Sequence, residues 1–499
     1  MAGMVKGCDA LSLAELGLHA QGGKEARITG VSLDSHSVRS GHLFAALPGT
    51  RVHGARFVPA ALRAGAAAVL TDRAGAQTAH AALAEAAVPV VVAEDPHQAL
   101  AHAAALWFGA QPEMMVAVTG TNGKTSVASF TRQIWVALGH PAANLGTTGV
   151  EGDFSAPLAH TTPDPVTLHR LLAEMVADGI GHAAMEASSH GLAQRRLDGV
   201  RLRAAAFTNL SQDHLDYHDS LSDYFDAKAR LFARVLPEDG VAVINMEDAQ
   251  AEAMAAIAQA RGQEVLQVGR AEEADLRLRA QRFDTTGQEL RFEWRGQSHQ
   301  IRLGLIGGFQ AENVLIAAGL SVACGDAPAD VFDVLHRLVT VRGRMQHVAT
   351  RTNGAPVFVD YAHTPAALGT ALTALRPHVM GRIVVVFGAG GDRDRGKRPL
   401  MGQAAAAHAD LVYVTDDNPR SEAPEAIRAQ ILQGCPAAMD VGDRAEAILR
   451  GVYALGPGDA LLIAGKGHET GQIVGDDIYP FDDAEQASVA VAALDGAVR

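Results

Sequence analysis

Residues 116–126, with the sequence Val-Ala-Val-Thr-Gly-Thr-Asn-Gly-Lys-Thr-Ser, constrain the fold more than any other part of the chain. The apolar run predicts a buried strand over residues 114–118, and a helix is predicted over residues 126–138. Between them, glycines let backbone N–H groups converge on an anion, and the helix N-terminus adds partial positive charge. The pattern predicts a nucleotide phosphate site, in which Lys124 reaches the outer phosphates and the Thr125 hydroxyl binds Mg²⁺.

The spacing of this loop differs from that of the usual phosphate loop, which places four residues before its Gly-Lys pair. Only Thr121 and Asn122 separate Gly120 from Gly123 in this chain. An alternative interpretation is therefore a strand-to-helix turn that needs glycine for its geometry alone. The Lys-Thr pair directly after the loop, and the strand before it, favour the phosphate site.

Composition limits the class of protein. The chain has 499 residues, 48% of them hydrophobic, and a formal net charge of −14, which predicts a globular protein of roughly two to four domains. The acidic balance argues against broad nucleic-acid binding. Three widely spaced cysteines suit a reducing cytoplasm and give no metal-ligand spacing. We find no signal peptide and no apolar run long enough to span a bilayer, so no membrane insertion is expected.

The order of predicted strands and helices indicates an α/β protein of three domains, over residues 1–111, 112–345 and 346–499. Strands and helices alternate in the first domain, which predicts a βα-built sheet. The central domain contains the phosphate loop and, over residues 276–303, alternating strands typical of an antiparallel sheet. In the third domain, four apolar strands each end in a polar or glycine loop, as in a doubly wound parallel sheet.

Polar residues at the ends of central strands are candidate ligands for Mg²⁺, because ligands of open α/β sheets gather at the carboxyl ends of their strands. Glu186 ends an apolar strand, and His214 follows another. A helix-capping or surface carboxylate and a structural histidine are the alternative interpretations. Lys228 lies in a helix predicted over residues 222–236, and the pattern alone predicts a surface lysine.

Several motifs occur in one order along the chain: Gly-Thr-Asn-Gly-Lys-Thr from Gly120, Met-Glu-Ala-Ser-Ser-His-Gly-Leu from Met185, Thr-Asn-Leu-Ser-Gln-Asp-His-Leu-Asp-Tyr-His from Thr208, Arg-Gly-Arg-Met from Arg342, and Val-Asp-Tyr-Ala-His-Thr-Pro from Val359. Together they resemble the Mur ligases of peptidoglycan synthesis, over nearly the whole chain. Three later motifs, beginning at Gly391, Asp417 and Gly465, narrow the resemblance to members that add 2,6-diaminopimelate.

The resemblance implies a cytoplasmic, ATP-dependent amide ligase of cell-wall biogenesis, which supports cell shape and division. ATP would phosphorylate the D-glutamyl carboxylate of UDP-N-acetylmuramoyl-L-alanyl-D-glutamate, and an amine of meso-diaminopimelate would attack the acyl phosphate. The fold it implies is a central P-loop-type ATP-binding domain between an N-terminal UDP-binding α/β domain and a C-terminal Rossmann-like domain. A monomer that binds no nucleic acid is expected.

The same resemblance assigns residues to the reaction. Lys124, Lys228, Arg344 and His214 would be catalytic, with Lys228 carrying a CO₂-derived carbamate. Mg²⁺ would be held by Thr125, Glu186, His214 and the carbamate on Lys228. ATP would contact Gly120, Thr121, Asn122, Gly123, Lys124, Thr125, Ser126, Asn313 and Asp360.

Substrate residues follow in the same way. The uridine end would contact Leu33, Ser35, Thr50, Arg51 and Val52, and the muramoyl peptide would contact Thr161, Thr162, Ser188, Gln194 and Arg196. Diaminopimelate would contact Arg393, Asp417, Asn418, Pro419, Arg420, Gly465 and Glu469. Diaminopimelate differs from lysine by a distal carboxylate, which an Arg fork matches with two hydrogen bonds. We therefore predict diaminopimelate over lysine.

Three alternatives stay open. A lysine-adding sister ligase or a folylpolyglutamate synthetase would share the fold, but the Asp-Asn-Pro-Arg tetrad from Asp417 and the first domain argue against both. A regulatory ATP-binding protein would use the nucleotide to change shape without chemistry. Phosphate release that depends on an acceptor amine distinguishes an enzyme from that regulator.

Overall fold

The computed structural model describes residues 10–49, 52–211, 217–218 and 220–496. The chain forms two compact units. One runs up to Leu266 and includes Gly319–Ala327, and the other comprises Gln267–Ala318 and the chain from Pro328 onward. This is a coarser division than three domains, and the boundaries near residues 111 and 345 stay predictions.

The first unit begins with a four-stranded parallel sheet of order β3-β4-β5-β6 and a separate strand pair. Apolar residues cover both faces of this sheet, with Leu43 and Leu70 on one side and Phe44 and Val69 on the other. The elements are β1 (Leu11–Ser12), β2 (Arg27–Ile28), β3 (Gly30–Ser32), β4 (His42–Ala45), α1 (Val58–Arg63), β5 (Ala68–Thr71), α2 (Arg73–Thr78), α3 (His80–Ala86), β6 (Val90–Val92) and α4 (Pro96–Phe108).

A second sheet in the same unit has the order β12-β11-β7-β10-β8-β9, parallel except for the β8–β9 hairpin. Its strands are apolar runs, because helices cover them and both faces are buried. The elements are β7 (Met114–Thr119), α5 (Lys124–Ala137), β8 (Ala142–Gly146), β9 (Gly149–Gly152), α6 (Pro165–Ala177), β10 (His182–Glu186), α7 (Ser189–Ala193), β11 (Ala204–Phe207), α8 (Leu221–Arg230), β12 (Val241–Asn245) and α9 (Ala251–Ala260).

The helix predicted over residues 222–236 is confirmed in its extent, and its winding changes in the second half. The α-helical part ends at Arg230, and Leu231–Val235 forms a π-helical turn in which the Leu236 N–H bonds the Leu231 carbonyl. Pro237 follows, and the residue before a proline is disfavoured in the helical region. Leu236 accordingly has extended backbone angles.

The second unit contains an antiparallel meander and then a parallel sheet. The meander confirms the antiparallel strands predicted over residues 276–303. The elements up to the parallel sheet are β13 (Glu264–Gly269), which crosses from the first unit, β14 (Leu276–Asp284), β15 (Gly287–Trp294), β16 (Gln297–Leu303), α10 (Phe309–Ala323), which begins in this unit, and α11 (Pro328–Val334).

The parallel sheet has the order β18-β22-β19-β20-β21, with β17 antiparallel at one edge. Helices cover both of its faces, as the doubly wound prediction requires. The elements are β17 (Gln346–Thr350), β18 (Pro356–Asp360), α12 (Pro365–Leu375), β19 (Ile383–Phe387), α13 (Lys397–His408), β20 (Leu411–Val414), α14 (Pro424–Leu432), β21 (Met439–Asp440), α15 (Arg444–Tyr453), β22 (Ala460–Ala464), β23 (Gly471–Val474), β24 (Asp477–Pro480) and α16 (Asp483–Leu494).

No helix among these described elements is both long and apolar enough to cross a membrane.

Candidate active site

The predicted phosphate loop leaves the carboxyl end of β7, in the middle of the larger sheet of the first unit. Strands β8 and β10 lie on one side of β7, and β11 and β12 lie on the other. Open α/β sheets bind their ligands where the strand order reverses in this way. The carboxyl ends of β7, β10 and β11 therefore bring Gly120, Glu186 and Thr208 to the same edge.

The loop is held by the segment that follows β11. Thr208 Oγ1 donates to the Asn122 carbonyl at 2.6 Å, and the Asn122 N–H donates to Asn209 Oδ1 at 2.9 Å. The Thr121 N–H donates to the Asn209 carbonyl at 2.8 Å. These bonds fix the loop before any phosphate binds, which reduces the entropy lost on binding.

Gly120 cannot be replaced without moving this segment. Its φ of 149° lies in a region that L side chains rarely adopt, and a Cβ at this position would come within 1.9 Å of Thr208 Oγ1. Glycine is thus required both for the turn and for the close approach of the two segments.

Lys124 begins α5 and points back along the loop. Its Nζ donates to the carbonyls of Gly120 and Thr121, both at 2.8 Å. Thr125 and Ser126 follow and are buried. A cation and a hydroxyl therefore lie at the helix N-terminus, where the backbone already favours an anion.

Glu186 is 1% exposed and lies at the end of β10. Its Oε1 accepts the Thr147 N–H at 2.8 Å, and its Oε2 accepts the Thr147 hydroxyl at 3.3 Å. Gly146 makes this approach possible, because a Cβ there would lie 2.1 Å from Glu186 Oε1. Each carboxylate oxygen keeps a further acceptor site for a cation.

Lys228 is 1% exposed, so the surface lysine predicted from the pattern alone is wrong. Its Nζ donates to the Gly120 carbonyl at 2.7 Å and lies 4.3 Å from the centre of the Tyr224 ring. The Tyr224 hydroxyl in turn bonds Thr121 Oγ1 at 3.3 Å. Helix α8 therefore places a lysine directly behind the phosphate loop.

The residues predicted to contact the muramoyl peptide lie around the carboxyl end of β10. Thr162 Oγ1 donates to the Glu186 carbonyl at 2.9 Å and accepts the Ser188 N–H at 3.0 Å. Arg196 donates to the Thr162 carbonyl and to Gln194 Oε1. Burial lowers the pKa of Arg196. Thr161 joins the group through its hydroxyl, 3.1 Å from that of Thr147.

The residues predicted to contact uridine follow the carboxyl ends of β3 and β4, which pair in parallel. Leu33 packs against the core of this sheet, Ser35 is half-buried, and Val52 is exposed. Thr50 and Arg51 lie outside the described residues, as does His214. Of the residues that are described, no three His, Cys, Asp or Glu side chains form a metal-binding group.

A cavity of about 660 Å³ opens beside this sheet edge. Its lining includes Pro48, which lies two residues before Thr50, and Arg195, which lies between Gln194 and Arg196. Arg195 crosses to the first sheet, where it pairs with Asp95 at 2.7 Å. This ion pair ties the α7 loop to the N-terminus of α4.

In the second unit, the predicted amino-acid residues meet at the carboxyl ends of β19, β20 and β22. Asn418 Nδ2 donates to Glu469 Oε2 at 2.8 Å, and Arg420 donates to the Gly391 carbonyl at 2.9 Å. Arg420 has a φ of 50°, and hydrogen bonds to Ile473 and Gly475 hold its backbone. Strain of this kind at a non-glycine residue is typical of functional sites.

Buried ion pairs lie beneath this pocket and hold its loops in position. Arg444 and Asp483 are both fully buried and bond through two contacts of 2.7 Å. Arg444 also donates to the carbonyls of Asp416 and Ala464. Burial raises the pKa of Asp416, although Arg428 pairs with it. The segment that begins at Asp416 is therefore held in position by charged groups beneath it.

The predicted adenosine and phosphate contacts of the second unit have local partners. Asp360 accepts the N–H groups of Met345 and Ala362, and burial raises its pKa. Arg344 stacks 4.6 Å from the Tyr361 ring centre. Asn313 is buried and donates to Gln310. Arg393, Pro419 and Gly465 lie at the pocket edge of the sheet, with Arg393 exposed.

Sequence reasoning misses three positions that support the site. Thr147 donates to both carboxylate oxygens of Glu186, although the turn between Gly146 and Gly149 carries no motif that would assign it a role. The sequence pattern indicates that Tyr224 is part of an apolar helix face. Its spacing of four residues from Lys228, however, places both residues on one side of the helix. The third position is Lys466, which is buried beneath the amino-acid pocket.

Three sequence models of the Mur ligase family match consecutive parts of the chain. They are described as Mur ligase family, catalytic domain, over residues 27–108; Mur ligase middle domain, over residues 118–321; and Mur ligase, glutamate ligase domain, over residues 343–467. The predicted α/β fold class is confirmed by these matches and by the parallel sheets. The chain belongs to the Mur ligase family.

Particular members are similar over nearly the full length. The chain is 52% identical over 472 residues to UDP-N-acetylmuramoyl-L-alanyl-D-glutamate--2,6-diaminopimelate ligase of Bradyrhizobium diazoefficiens, covering 93% of this chain and 95% of that protein. A solved structure of a ligase of that name is 34% identical, with a TM-score of 0.71, and covers 97% of this chain and 99% of its own. A solved MurF ligase of Thermotoga maritima in complex with ADP shares the fold, at 17% identity, a TM-score of 0.60, and coverage of 93% and 97%.

Proposed function

We propose that this chain is the ligase that joins meso-diaminopimelate to UDP-N-acetylmuramoyl-L-alanyl-D-glutamate at the expense of ATP. The proposal depends on the presence of two sites in one chain. One is the phosphate loop, whose Gly120 carbonyl accepts a hydrogen bond from Lys228, and the other is the pocket in which Asn418 bonds Glu469 beside Arg420. The name of the Bradyrhizobium relative supports the choice of substrates.

The chemistry explains the need for a phosphate site. A carboxylate is a poor electrophile, so its oxygen attacks the γ-phosphorus of ATP and releases ADP. The acyl phosphate that results is attacked by an amine, which loses a proton as phosphate leaves. The phosphate loop, the α5 N-terminus and Lys124 bind the polyphosphate, whose oxygens compete with the loop carbonyls for the ammonium of Lys124.

The residues present fit Mg²⁺. Thr125 supplies a hydroxyl, and Glu186 supplies a carboxylate with unused acceptor sites, which matches the usual protein share of a Mg²⁺–nucleotide site. When bound, the ion would neutralise charge on the phosphates. His214 and a carbamate on Lys228 remain proposed ligands. The carbamate forms when the Lys228 ammonium gives up a proton, the neutral nitrogen bonds the carbon of CO₂, and a second proton leaves the nitrogen.

In the pocket, Arg420 offers a fork for the distal carboxylate of diaminopimelate and Glu469 offers an anion for its ammonium. Lysine lacks that carboxylate, so the site would bind lysine less well. Cytoplasmic location, a monomeric state, and the roles of Arg344, Asn313 and Asp360 toward ATP are part of the same proposal.

Phosphate release tests the proposal. The purified protein is given ATP, Mg²⁺ and the UDP-muramoyl dipeptide, with meso-diaminopimelate, with L-lysine, or with no amine. We expect release only with diaminopimelate. Release with lysine as well would contradict the proposed role of Arg420, and equal release in all three would indicate an uncoupled or regulatory ATPase.

Lys228→Ala tests the carbamate. We expect turnover to fall by roughly 100-fold or more, with partial recovery in high Mg²⁺ or with an added small carboxylate. Lys24→Ala, at an exposed lysine, is the matched control and should retain full turnover. Near-normal turnover of the Lys228 variant would refute the assignment.

A further inference from the structure

Lys466 follows β22 and has no exposed surface. Its Nζ donates to three acceptors: Asn418 Oδ1 at 3.0 Å, Glu469 Oε2 at 3.3 Å and the Gly471 carbonyl at 2.6 Å. An ammonium has three donors, so all of them are used. A buried charge is costly unless it is paired and hydrogen-bonded in this way.

These bonds set the orientation of the Asn418 amide. Its Oδ1 accepts both Lys466 Nζ and the Ile473 N–H, the latter at 2.9 Å, while its Nδ2 donates to Glu469. Rotating the amide by 180° would place an NH₂ group against two donors and an oxygen against a carboxylate. Lys466 therefore keeps the Nδ2 group directed at Glu469.

Glu469 is held through one oxygen. Its Oε2 accepts hydrogen bonds from both Lys466 and Asn418, and within the described parts of the chain no hydrogen bond reaches Oε1. The side chain is 34% exposed, so the carboxylate is not closed off from solvent. Oε1 therefore keeps its acceptor sites for a ligand ammonium.

We propose that Lys466 is a positioning residue for the amino-acid substrate. Without touching that substrate, it fixes the Asn418 amide and the Glu469 carboxylate in the arrangement that receives the ammonium of a diamino acid. The Lys466 cation partly neutralises Glu469, which by itself would weaken the attraction for a ligand ammonium. Lys466 therefore favours substrate binding by orienting the two side chains and not by adding charge. This inference rests on the proposed function.

Lys466→Met tests the proposal, since methionine keeps most of the volume and removes the donors. We expect the KM for diaminopimelate to rise about 10- to 100-fold, because the carboxylate and amide lose their fixed orientation. The KM values for ATP and for the UDP-muramoyl dipeptide should stay within about twofold. Arg351→Met is the matched control: it removes a largely buried cation whose partners are Asp495 and the Val452 carbonyl. It should lower the melting temperature and leave the KM for diaminopimelate unchanged.

A double variant separates positioning from general damage to the fold. If Lys466 acts through Glu469, then Lys466→Met combined with Glu469→Gln should bind diaminopimelate about as weakly as Glu469→Gln alone. Additive effects, an unchanged KM, or an equal rise in all three KM values would overturn the proposal.

Lys466→Arg covers the case in which the methionine variant fails to fold. The charge is retained, but a planar guanidinium cannot reproduce the three bonds of the ammonium, so the KM for diaminopimelate should still rise at least about threefold. An unchanged KM in this variant would also overturn the proposal. The wild-type protein is assayed alongside: if its phosphate release does not depend on an amine, the proposed function fails, whereas wild-type activity with unchanged variants refutes only the role of Lys466.

Discussion

In the phosphate-loop region of the first unit, most of the hydrogen bonds that position the loop join a side chain to a main-chain group of the loop. Lys124 and Lys228 both donate to the Gly120 carbonyl, and two segments approach closely because Gly120 has no side chain. In the amino-acid pocket of the second unit, side chains position one another. Asn418, Lys466 and Glu469 form one network, and Arg444 and Asp483 lie beneath the adjoining loop.

The difference has a chemical reason. Phosphate has the same oxygens in every nucleotide, and a turn of backbone N–H groups at a helix terminus matches them. An amino acid with charges at both ends needs an anion receptor and a cation receptor at a fixed separation, and charged side chains supply both in this pocket. We therefore expect the first region to be sensitive to backbone changes and the second to the loss of buried partners.

The largest expected effect is that of Gly120→Ala. The new Cβ would collide with Thr208 Oγ1, and the alanine backbone would have an unfavourable φ. Because both effects would displace the loop, kcat/KM for ATP should fall by about 1,000-fold or more. Steady-state phosphate release measures this loss. Gly139→Ala is the control, because Gly139 also has a positive φ, but a Cβ added there would meet no atom within 4 Å. That control should lose only about 1 kcal/mol of stability, and equal activity in both variants would contradict the role of close approach.

Asp483→Ala should strongly destabilise the second unit. It leaves the Arg444 guanidinium buried without its carboxylate, which costs roughly 3–5 kcal/mol in free energy of unfolding. Urea unfolding measures the change. Glu446→Ala removes an exposed helical ion pair with Arg450 and should change stability by about 0.5 kcal/mol or less. Similar losses in both variants would show that burial does not distinguish these pairs.

Arg420→Ala should change selectivity more than stability. Removing the guanidinium removes the fork for the distal carboxylate, so we expect the preference for diaminopimelate over lysine to fall by about 10- to 100-fold. The ratio of kcat/KM values for the two amines measures the preference. Arg450→Ala, at an exposed arginine, should leave the ratio unchanged. A preserved preference in the Arg420 variant would mean that the carboxylate binds elsewhere.

A pH titration offers a smaller test in the second unit. Burial lowers the pKa of His468 to about 4, next to the Tyr361 ring. The unfolded chain then binds the proton more readily between pH 6.5 and 4, so this histidine should contribute a loss of stability of roughly 2 kcal/mol as the pH falls from 7 to 5. His468→Phe should lack that part of the acid sensitivity when unfolding is measured at both pH values. Identical pH dependence in both proteins would contradict the lowered pKa of His468.

The sequence by itself determined the strands, the phosphate loop and the order of the motifs. The strand predicted over residues 114–118 is observed at Met114–Thr119, because its apolar residues are buried on both faces of the sheet. The phosphate loop was also visible, since its glycines and its Lys-Thr pair are contiguous in the chain. Local chemistry of this kind depends little on distant residues.

The tertiary structure alone decided which charged side chains are buried and what they contact. Lys228 has the sequence context of a surface lysine, yet the packing of α8 places it against Gly120, which lies 108 residues earlier. Lys466 reaches Asn418 across 48 residues, and Arg444 reaches Asp483 across 39. A charged residue is stable in the interior only when partners from distant segments meet it there, and hydrophobic periodicity carries no information about those partners.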